Sequence, residues 1–376
     1  MIRRYKLRDY NFRLVLLLIT LTFVGVLLVG SAEPALQKKQ FVGMILGLAV
    51  MTVISLMDYS WIMNFYWIFY AGNIAMLAVV RLFGTESKGA ARWLRIGGFQ
   101  FQPTELSKII LILFLAKFLM EHEEDLNTFK TLLKSVILMG IPMILIFKQP
   151  DLKNTITVAI LFCILLYLAG LSYKIIGGAL LITIPLAVVF LFLVVQPDQK
   201  LINDYQRDRI MSFLYAEEED YSDGVLQQEN SIMAIGSGQL TGKGLNNNEV
   251  ASANKGNFVS ESQTDFIFSV AGEELGFIGC MAILALMFLI IFECIRTGRK
   301  AKDLGGSLSC YGMASLIAVQ SFINICVATG LSPNTGTPLP FVSYGLSSMI
   351  SLYIGMGIVL NVSLQKNRAY REVEKS

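Results

Sequence analysis

Residues 260–279, SESQTDFIFSVAGEELGFIG, run from a polar loop into an apolar stretch typical of a membrane helix. At about 100° per residue, one side of such a helix collects small or acidic residues: Asp265, Ser269, Gly272, Glu273 and Gly276. An acid at membrane depth is costly unless it faces protein or a water-filled cavity. We therefore interpret Asp265 as a candidate functional residue. The alternative is a helix-entry acid at the headgroup level, near the positive end of the helix dipole.

The composition is that of a membrane protein. Of 376 residues, 54% are hydrophobic and 16% charged, and the mean hydropathy of +0.59 excludes an ordinary soluble domain. A net charge of +3 is too small to indicate a nucleic-acid partner. The five cysteines lack paired short spacing, so neither a zinc site nor a disulfide framework is indicated. His122 is the only histidine, which leaves acid–base chemistry to carboxylates, lysines or tyrosines.

Apolar stretches of about 20 residues, long enough to cross a bilayer, recur about ten times. They lie near residues 12–30, 41–57, 62–82, 104–120, 132–148, 154–170, 174–195, 264–292, 307–328 and 342–362. The sequence therefore predicts an all-α, polytopic integral membrane protein that forms a single domain over residues 1–376. Its longest polar segment, about residues 196–263, is predicted to be a large outer loop between the seventh and eighth spans.

Basic residues predict which side of the membrane each loop occupies. They cluster at the N-terminus, in residues 293–306 and in the C-terminal tail, and the positive-inside rule places all of these in the cytoplasm. An even number of spans agrees, because it puts both termini on one side. The segments that then face outward are residues 83–103, 148–153, 196–263 and 329–341.

Charges gather in the first of these outer segments and in the helix after it. Arg92 is one of several cations around Trp93, against the positive-inside rule, which indicates an anionic ligand or contact with lipid headgroups. Pro103 predicts a helix start, and Glu105 and Lys108 follow three residues apart on one helix face. They could form an ordinary ion pair or flank a site.

Two further outer motifs are rich in glycine. GSGQLTGKG at residues 236–244 resembles a phosphate-binding loop, but Ser237 replaces the first glycine, Gly244 follows Lys243, and no strand precedes it. We therefore reject a nucleotide site. TGLSPNTGTPLPFVSYG at residues 329–345 contains prolines that cannot continue a helix. It is expected to form a shaped wall sheltered by protein or by a water-filled cavity.

Several stretches together resemble the signatures of the shape, elongation, division and sporulation (SEDS) family. They are GAARWLRIGGFQFQPTELSK (89–108), QPDLKNT (149–155), AIGSGQLTGKGL (234–245), residues 260–279 and TGTPLPFVSYG (335–345). The resemblance covers nearly the whole chain and is closer to the elongation branch than to the division branch. Leu346 departs from it, because many relatives place a second glycine there. Members are polytopic bacterial glycosyltransferases that polymerise peptidoglycan, and the resemblance implies this activity.

The resemblance also implies site residues. Asp265 matches the essential acid of an outward-facing cavity and is expected to be the general base. The expected substrate-binding residues are Arg92, Trp93, Glu105, Lys108, Gln263, Thr264 and Ser343. Among them, Arg92 and Lys108 would neutralise the departing pyrophosphate. A divalent cation, Mg²⁺ or Mn²⁺, could assist, with its ligands unknown, and no nucleotide is expected.

The implied substrate is lipid II, a disaccharide pentapeptide joined by pyrophosphate to an undecaprenyl chain. The implied partners are a class B penicillin-binding protein and the cell-elongation machinery, at the bacterial cytoplasmic membrane. Two alternatives remain: a lipid II flippase, and a non-catalytic scaffold of the cell-wall machinery. Polymerisation is favoured because the candidate charges all lie toward the outer face, whereas a flippase needs a polar route that reaches the inner face.

Overall fold

The computed structural model describes residues 9–87, 90–96, 99–196, 199, 201–215, 222–246 and 259–365. The helices in this part of the chain are α1 (Phe12–Ala32), α2 (Pro34–Leu56), α3 (Tyr59–Asn64), α4 (Tyr66–Phe83), α5 (Pro103–Glu121), α6 (Phe129–Phe147), α7 (Leu152–Leu168), α8 (Tyr173–Val195), α9 (Asp204–Leu214), α10 (Ser222–Ser237), α11 (Ile267–Arg299), α12 (Leu304–Ala328) and α13 (Leu346–Leu364). The strands are β1 (Thr85–Ser87), β2 (Ala90–Ile96) and β3 (Phe99–Phe101). The predicted all-α polytopic architecture is confirmed, apart from this small sheet.

Eight of the described helices are long and apolar enough to cross a membrane: α1, α2, α4, α6, α8, α11, α12 and α13. Helix α7 has 17 residues, shorter than a usual span. Helix α5 carries charges that pair along the helix, with Lys108 Nζ 2.9 Å from Glu105 Oε1 and Lys117 Nζ 3.1 Å from Glu121 Oε1. Pairing lowers the cost of charge in an apolar setting. The count of about ten spans stays a prediction.

Small residues bring the central helices together. Gly47 of α2 faces the ring of Tyr353 of α13, and a Cβ on that glycine would overlap the ring. Close approach of this kind is how membrane helices pack. The Tyr353 hydroxyl shares a hydrogen bond of 2.8 Å with the Thr22 hydroxyl of α1. Leu346 packs against Gly43 in the same α2–α13 interface, so a glycine on α2 accommodates the larger side chain at this position.

The predicted outer segments contain secondary structure that hydropathy did not predict. Strands β1, β2 and β3 form an antiparallel sheet in that order, with Thr85 opposite Trp93 and Leu94 opposite Phe101. The predicted outer loop 196–263 includes α9 and α10. Its acidic run, 217–220, lies outside the described residues.

Asp265 lies just before α11 rather than within it. Its amide donates to the carbonyl of Glu261 at 3.1 Å, in a turn, and α11 begins at Ile267. Gly276 has φ 66° and ψ −166°, far from helical values, and divides α11 into two parts. The prediction that residues 265–276 lie on one face of a continuous helix is therefore wrong, because Asp265 precedes the helix and Gly276 interrupts it.

The break at Gly276 is filled by backbone from residues 238–246, which we call the latch. In an unbroken helix, the carbonyls of Glu273 and Glu274 would accept hydrogen bonds from the amides of Phe277 and Ile278. Here these four groups form hydrogen bonds with the latch instead. The bonds are Lys243 N to Glu273 O (2.9 Å), Gly244 N to Glu274 O (3.0 Å), Phe277 N to Gln239 O (2.9 Å) and Ile278 N to Leu240 O (3.1 Å). All four groups are thus satisfied, as backbone at membrane depth requires.

Candidate active site

The segments that precede α11 and α13 are bonded to each other beside Asp265. The Ser343 hydroxyl donates to the carbonyl of Thr264 at 2.6 Å, and the amide of Tyr344 donates to the carbonyl of Gln263 at 2.9 Å. Burial raises the pKa of Tyr344, so its phenol is neutral at physiological pH. The structure therefore brings three of the predicted binding residues, Gln263, Thr264 and Ser343, to the predicted base.

Asn324 of α12 forms hydrogen bonds with both the segment before α11 and the segment before α13. Its Nδ2 donates to the carbonyl of Asp265 at 2.8 Å and to the carbonyl of Thr337 at 2.7 Å. The side chain is 0% exposed. A buried amide with two bonds to loop backbone holds both loops in one geometry, because losing either bond would leave a polar group unpaired.

The Asp265 carboxylate shares a small volume with a cation. Gly336 has φ +73°, and Asp265 Oδ2 and Arg209 Nη1 each lie 3.1 Å from the position that a Cβ on this glycine would occupy. Arg209 comes from α9. From the first turn of α7, the Lys153 ammonium donates to the carbonyl of Gly336. A carboxylate that can accept a proton and two cations that can meet an anionic group thus all lie around Gly336.

An apolar cavity of about 520 Å³ opens beside Lys153, between α7 and α12. Its walls include Ile156 of α7 and Phe322 of α12, and Thr335 and Thr337 lie in its lining together with Lys153. Lys153 is the only charged residue among the described lining residues. The cavity therefore suits a molecule that has a charged end and a hydrocarbon tail.

A second polar cluster is buried at the N-terminal ends of α5 and α7. Lys108 Nζ donates to Glu105 Oε1 at 2.9 Å and to Asn154 Oδ1 at 3.0 Å, and Asn154 Nδ2 donates to Asp151 Oδ2 at 2.8 Å. The exposed fractions of Lys108, Glu105 and Asp151 are 1%, 3% and 0%. Asn154 follows Lys153 in sequence. The first turn of α7 therefore connects this cluster to the surroundings of Asp265.

Arg92 supports the start of α7 from the sheet. Its guanidinium donates to the carbonyl of Gln149 at 3.4 Å and to that of Pro150, in the turn between α6 and α7. Trp93 lies beside it on β2. The predicted residues therefore divide into three groups: the Asp265 loops, the Glu105–Lys108 cluster, and the pair on β2, with α7 between them.

Three residues of this site escaped the sequence analysis. Lys153 lies in the predicted outward-facing segment 148–153, and Arg209 lies in the predicted outer loop 196–263, and neither was assigned a role from the sequence. Arg209 carries no sequence signal for a site, whereas Lys153 lies within the QPDLKNT motif that carries the resemblance. Asn324 carries a signal of its own, because an amide inside an apolar span is costly unless it is paired.

The described residues contain no group of three or more His, Cys, Asp or Glu side chains placed to hold a metal ion. A metal cage made by protein alone therefore does not fit this part of the chain. Mg²⁺ at phosphate sites commonly uses one or two carboxylates together with substrate phosphates. Asp265 has the right chemistry for that lesser role.

Comparison with known proteins gives consistent matches along the chain. A family model described as "Cell cycle protein", for FtsW, RodA and SpoVE, matches residues 10–368. The probable peptidoglycan glycosyltransferase FtsW of Geobacter sulfurreducens is 34% identical over 377 residues, covering 95% of this chain and 96% of the relative. The peptidoglycan glycosyltransferase MrdB of Escherichia coli K12 is 32% identical over 363 residues, covering 96% and 95%.

Solved structures agree with the sequence matches. A chain from work on the structural coordination of polymerization and crosslinking by a peptidoglycan synthase complex superposes with a TM-score of 0.78 at 27% identity, covering 94% of this chain and 97% of that chain. The rod shape determining protein RodA of Thermus thermophilus superposes with a TM-score of 0.70 at 26% identity, covering 94% and 96%. The fold is thus similar over nearly the full length of each chain.

Proposed function

The chain belongs to the FtsW, RodA and SpoVE family of cell cycle proteins, the SEDS family, and from this premise we propose that it is a peptidoglycan glycosyltransferase. Its substrate is lipid II, which it polymerises into glycan strands during cell elongation. One observation carries the proposal: the Asp265 carboxylate and the Arg209 guanidinium both lie beside Gly336, whose carbonyl accepts from Lys153 beside an apolar cavity.

The reaction needs one base and a site for a departing anion. The 4-hydroxyl of the GlcNAc in the incoming lipid II attacks the anomeric carbon of the lipid-linked MurNAc. As the new C–O bond forms, the bond from that carbon to the diphosphate oxygen breaks, with inversion, and the electron pair leaves on undecaprenyl diphosphate. Asp265 takes the hydroxyl proton. Lys153 and Arg209 meet the charge that develops on the leaving group.

The cavity between α7 and α12 accounts for the lipid part of the substrate. With the diphosphate at Lys153, the prenyl chain would lie along Ile156 and Phe322. The cavity lies between helices, so the substrate would enter sideways from the bilayer. Lys153 is the only charge in the described lining, which argues against a flippase route through this cavity, because a flippase must carry the diphosphate to the other face.

The remaining predicted residues have supporting places in this mechanism. Gln263, Thr264 and Ser343 would contact the sugars while they hold the Asp265 loop, and Trp93 would border them from β2. Lys108, oriented by Glu105, and Arg92 would add positive charge behind Lys153. A divalent cation, when bound, would supply further charge at the diphosphate, with Asp265 as its protein ligand.

We place the protein in the bacterial cytoplasmic membrane, with both termini in the cytoplasm and the site on the outer face. We also propose a class B penicillin-binding protein as its partner within the cell-elongation machinery. The likeness to a chain of a peptidoglycan synthase complex supports this pairing. The decisive experiment reconstitutes the purified protein with fluorescent lipid II, with and without that partner, and separates the products. Only a polymerase yields long glycan strands, so wild-type protein that moves lipid II across vesicles without lengthening it would contradict the proposal.

Replacing Lys153 with Met is expected to lower polymerisation by about 10²–10³-fold, because it removes one preorganised donor to the leaving group. Turnover is measured in the same assay. The matched control is Lys148→Met, which removes an exposed lysine from the same turn and should leave turnover unchanged. Equal rates for the two variants would remove Lys153 from the mechanism.

The proposed orientation predicts which residues an impermeant thiol reagent can reach in permeabilised-wall cells. A cysteine at Asp208, exposed on α9, should react, and a cysteine at Glu124, exposed between α5 and α6, should not. Both variants are compared with the parent protein, because Cys163 is also exposed in the structure. The opposite labelling would place the site on the inner face and exclude the proposed reaction.

A further inference from the structure

The glycine-rich motif at residues 236–244 overlaps the latch. Its backbone amides bind carbonyls of α11, in the way that such loops elsewhere bind phosphate oxygens. A Cβ on Gly242 would overlap the carbonyl of Glu274, and a Cβ on Gly276 would overlap the amide of Gly242. The two backbones are therefore in direct contact, and glycine is needed on both sides of it.

Backbone pairing makes the position of the latch discrete. The latch replaces two consecutive rungs of the helix ladder. A shift by one residue would leave an amide or a carbonyl without its partner at membrane depth. The latch therefore holds α11 in one register and does not act as a loose support.

One ion pair fixes this register through side chains. Lys243 Nζ lies 2.8 Å from Glu273 Oε1, and Glu273 is 1% exposed while Lys243 is 24% exposed. The same two residues also share the backbone bond from Lys243 N to Glu273 O. A buried carboxylate needs its cation, so the pair disfavours separation of the latch from α11.

The latch and Asp265 lie at opposite ends of one short helical piece. Residues 267–275 run from just after Asp265 to the break at Gly276, and nearly all of them are buried. At its outer end, the Asn324 amide holds the carbonyl of Asp265 at 2.8 Å. Any axial or rotational shift at the break is therefore carried along this piece toward the carboxylate.

We propose that the latch positions Asp265, and that Lys243 is the positioning residue, acting through Glu273. This inference rests on the proposed function, because it assigns Asp265 the role of base. Lys243 touches no reacting atom. Its removal should reduce turnover without weakening substrate binding, since small displacements of a catalytic group have large effects on rate.

The test compares Lys243→Met, Lys243→Arg and the double variant Lys243→Met with Glu273→Gln, in full-length protein with its partner. We expect turnover of Lys243→Met to fall by about tenfold to 10²-fold, with the lipid II dissociation constant unchanged. Lys243→Arg should recover most of the activity. The double variant, which removes the buried carboxylate together with the cation that pairs with it, should melt like wild type and remain slow. Lys39→Met, which removes an exposed lysine near the start of α2, is the matched control.

Hydrogen exchange gives a readout that does not depend on the reaction. The amides of Lys243, Gly244, Phe277 and Ile278 should be protected in wild type and should exchange faster in Lys243→Met. Faster exchange with turnover equal to that of Lys39→Met would overturn the positioning role while the polymerase assignment stands. If binding, melting temperature and turnover all fall together in the single and double variants, the latch only stabilises the fold, and its proposed role in positioning Asp265 is wrong. Wild-type protein that makes no glycan would instead refute the proposed function, and the inference with it.

Discussion

Replacement of Asp265 by Asn is expected to slow glycan polymerisation by about 10²–10⁴-fold, the range typical of a lost general base. Asparagine is nearly isosteric and cannot accept the proton. The bond from Asn324 goes to the backbone carbonyl of residue 265, so the substitution leaves it in place. The variant should therefore fold and bind lipid II like wild type. The measurement is glycan product per unit time from reconstituted protein with its partner.

Asp208→Asn is the matched control, because it removes the same type of charge from an exposed position on α9, next to Arg209. Its turnover should equal that of wild type. Asp265→Glu could retain a trace of activity if the site admits an extra methylene. Product from Asp265→Asn at close to the wild-type rate would show that Asp265 is not the base. Glu261 would then be the first replacement, because its carboxylate accepts from Gln263 and Thr264 beside the same loop.

Hydropathy predicted most of the architecture because the bilayer imposes length and composition on each span. Helices α1 and α13 lie close to the predicted stretches. Helix α5 shows the limit of this signal, since its charges are acceptable only as pairs that tertiary structure buries. The break at Gly276 was not predictable locally, because a glycine in an apolar helix more often marks close packing. What permits the break is the latch, more than 30 residues earlier in the chain, through bonds that no local pattern encodes.

A site residue could be predicted from the sequence when its side chain is energetically costly at its position in or near a membrane span. Asp265 stood out because a carboxylate at the edge of a span needs a reason. Lys153 and Arg209 did not, since polar turns and amphipathic helices ordinarily carry cations. Both lie beside Gly336, from a fourth segment, next to which the Asp265 carboxylate also lies. Sequence thus identified the candidate base and its loop, and the fold supplied the cations around it.

Lys108→Met is expected to abolish polymerisation and to lower the free energy of unfolding by about 3–5 kcal/mol, because it leaves Glu105 as an unpaired buried charge. Lys108 has two roles that this single variant cannot separate. It pairs with Glu105 on its own helix and donates to Asn154 of α7, which links α5 to α7. We propose that its charge also favours departure of the diphosphate. The first role concerns stability and the second concerns the rate.

Adding Glu105→Gln to Lys108→Met separates the two roles. Removing both charges of a buried pair is commonly near neutral for stability, so the double variant should regain most of its melting temperature in detergent. If the charge of Lys108 serves the reaction, polymerisation stays lost in this well-folded protein. Recovery of turnover together with the melting temperature would make Lys108 purely structural, and would leave Lys153 and Arg209 as the cations that face the leaving group. The pair Lys117 and Glu121, on the same helix but at its other end, is the control, because its removal should leave turnover intact.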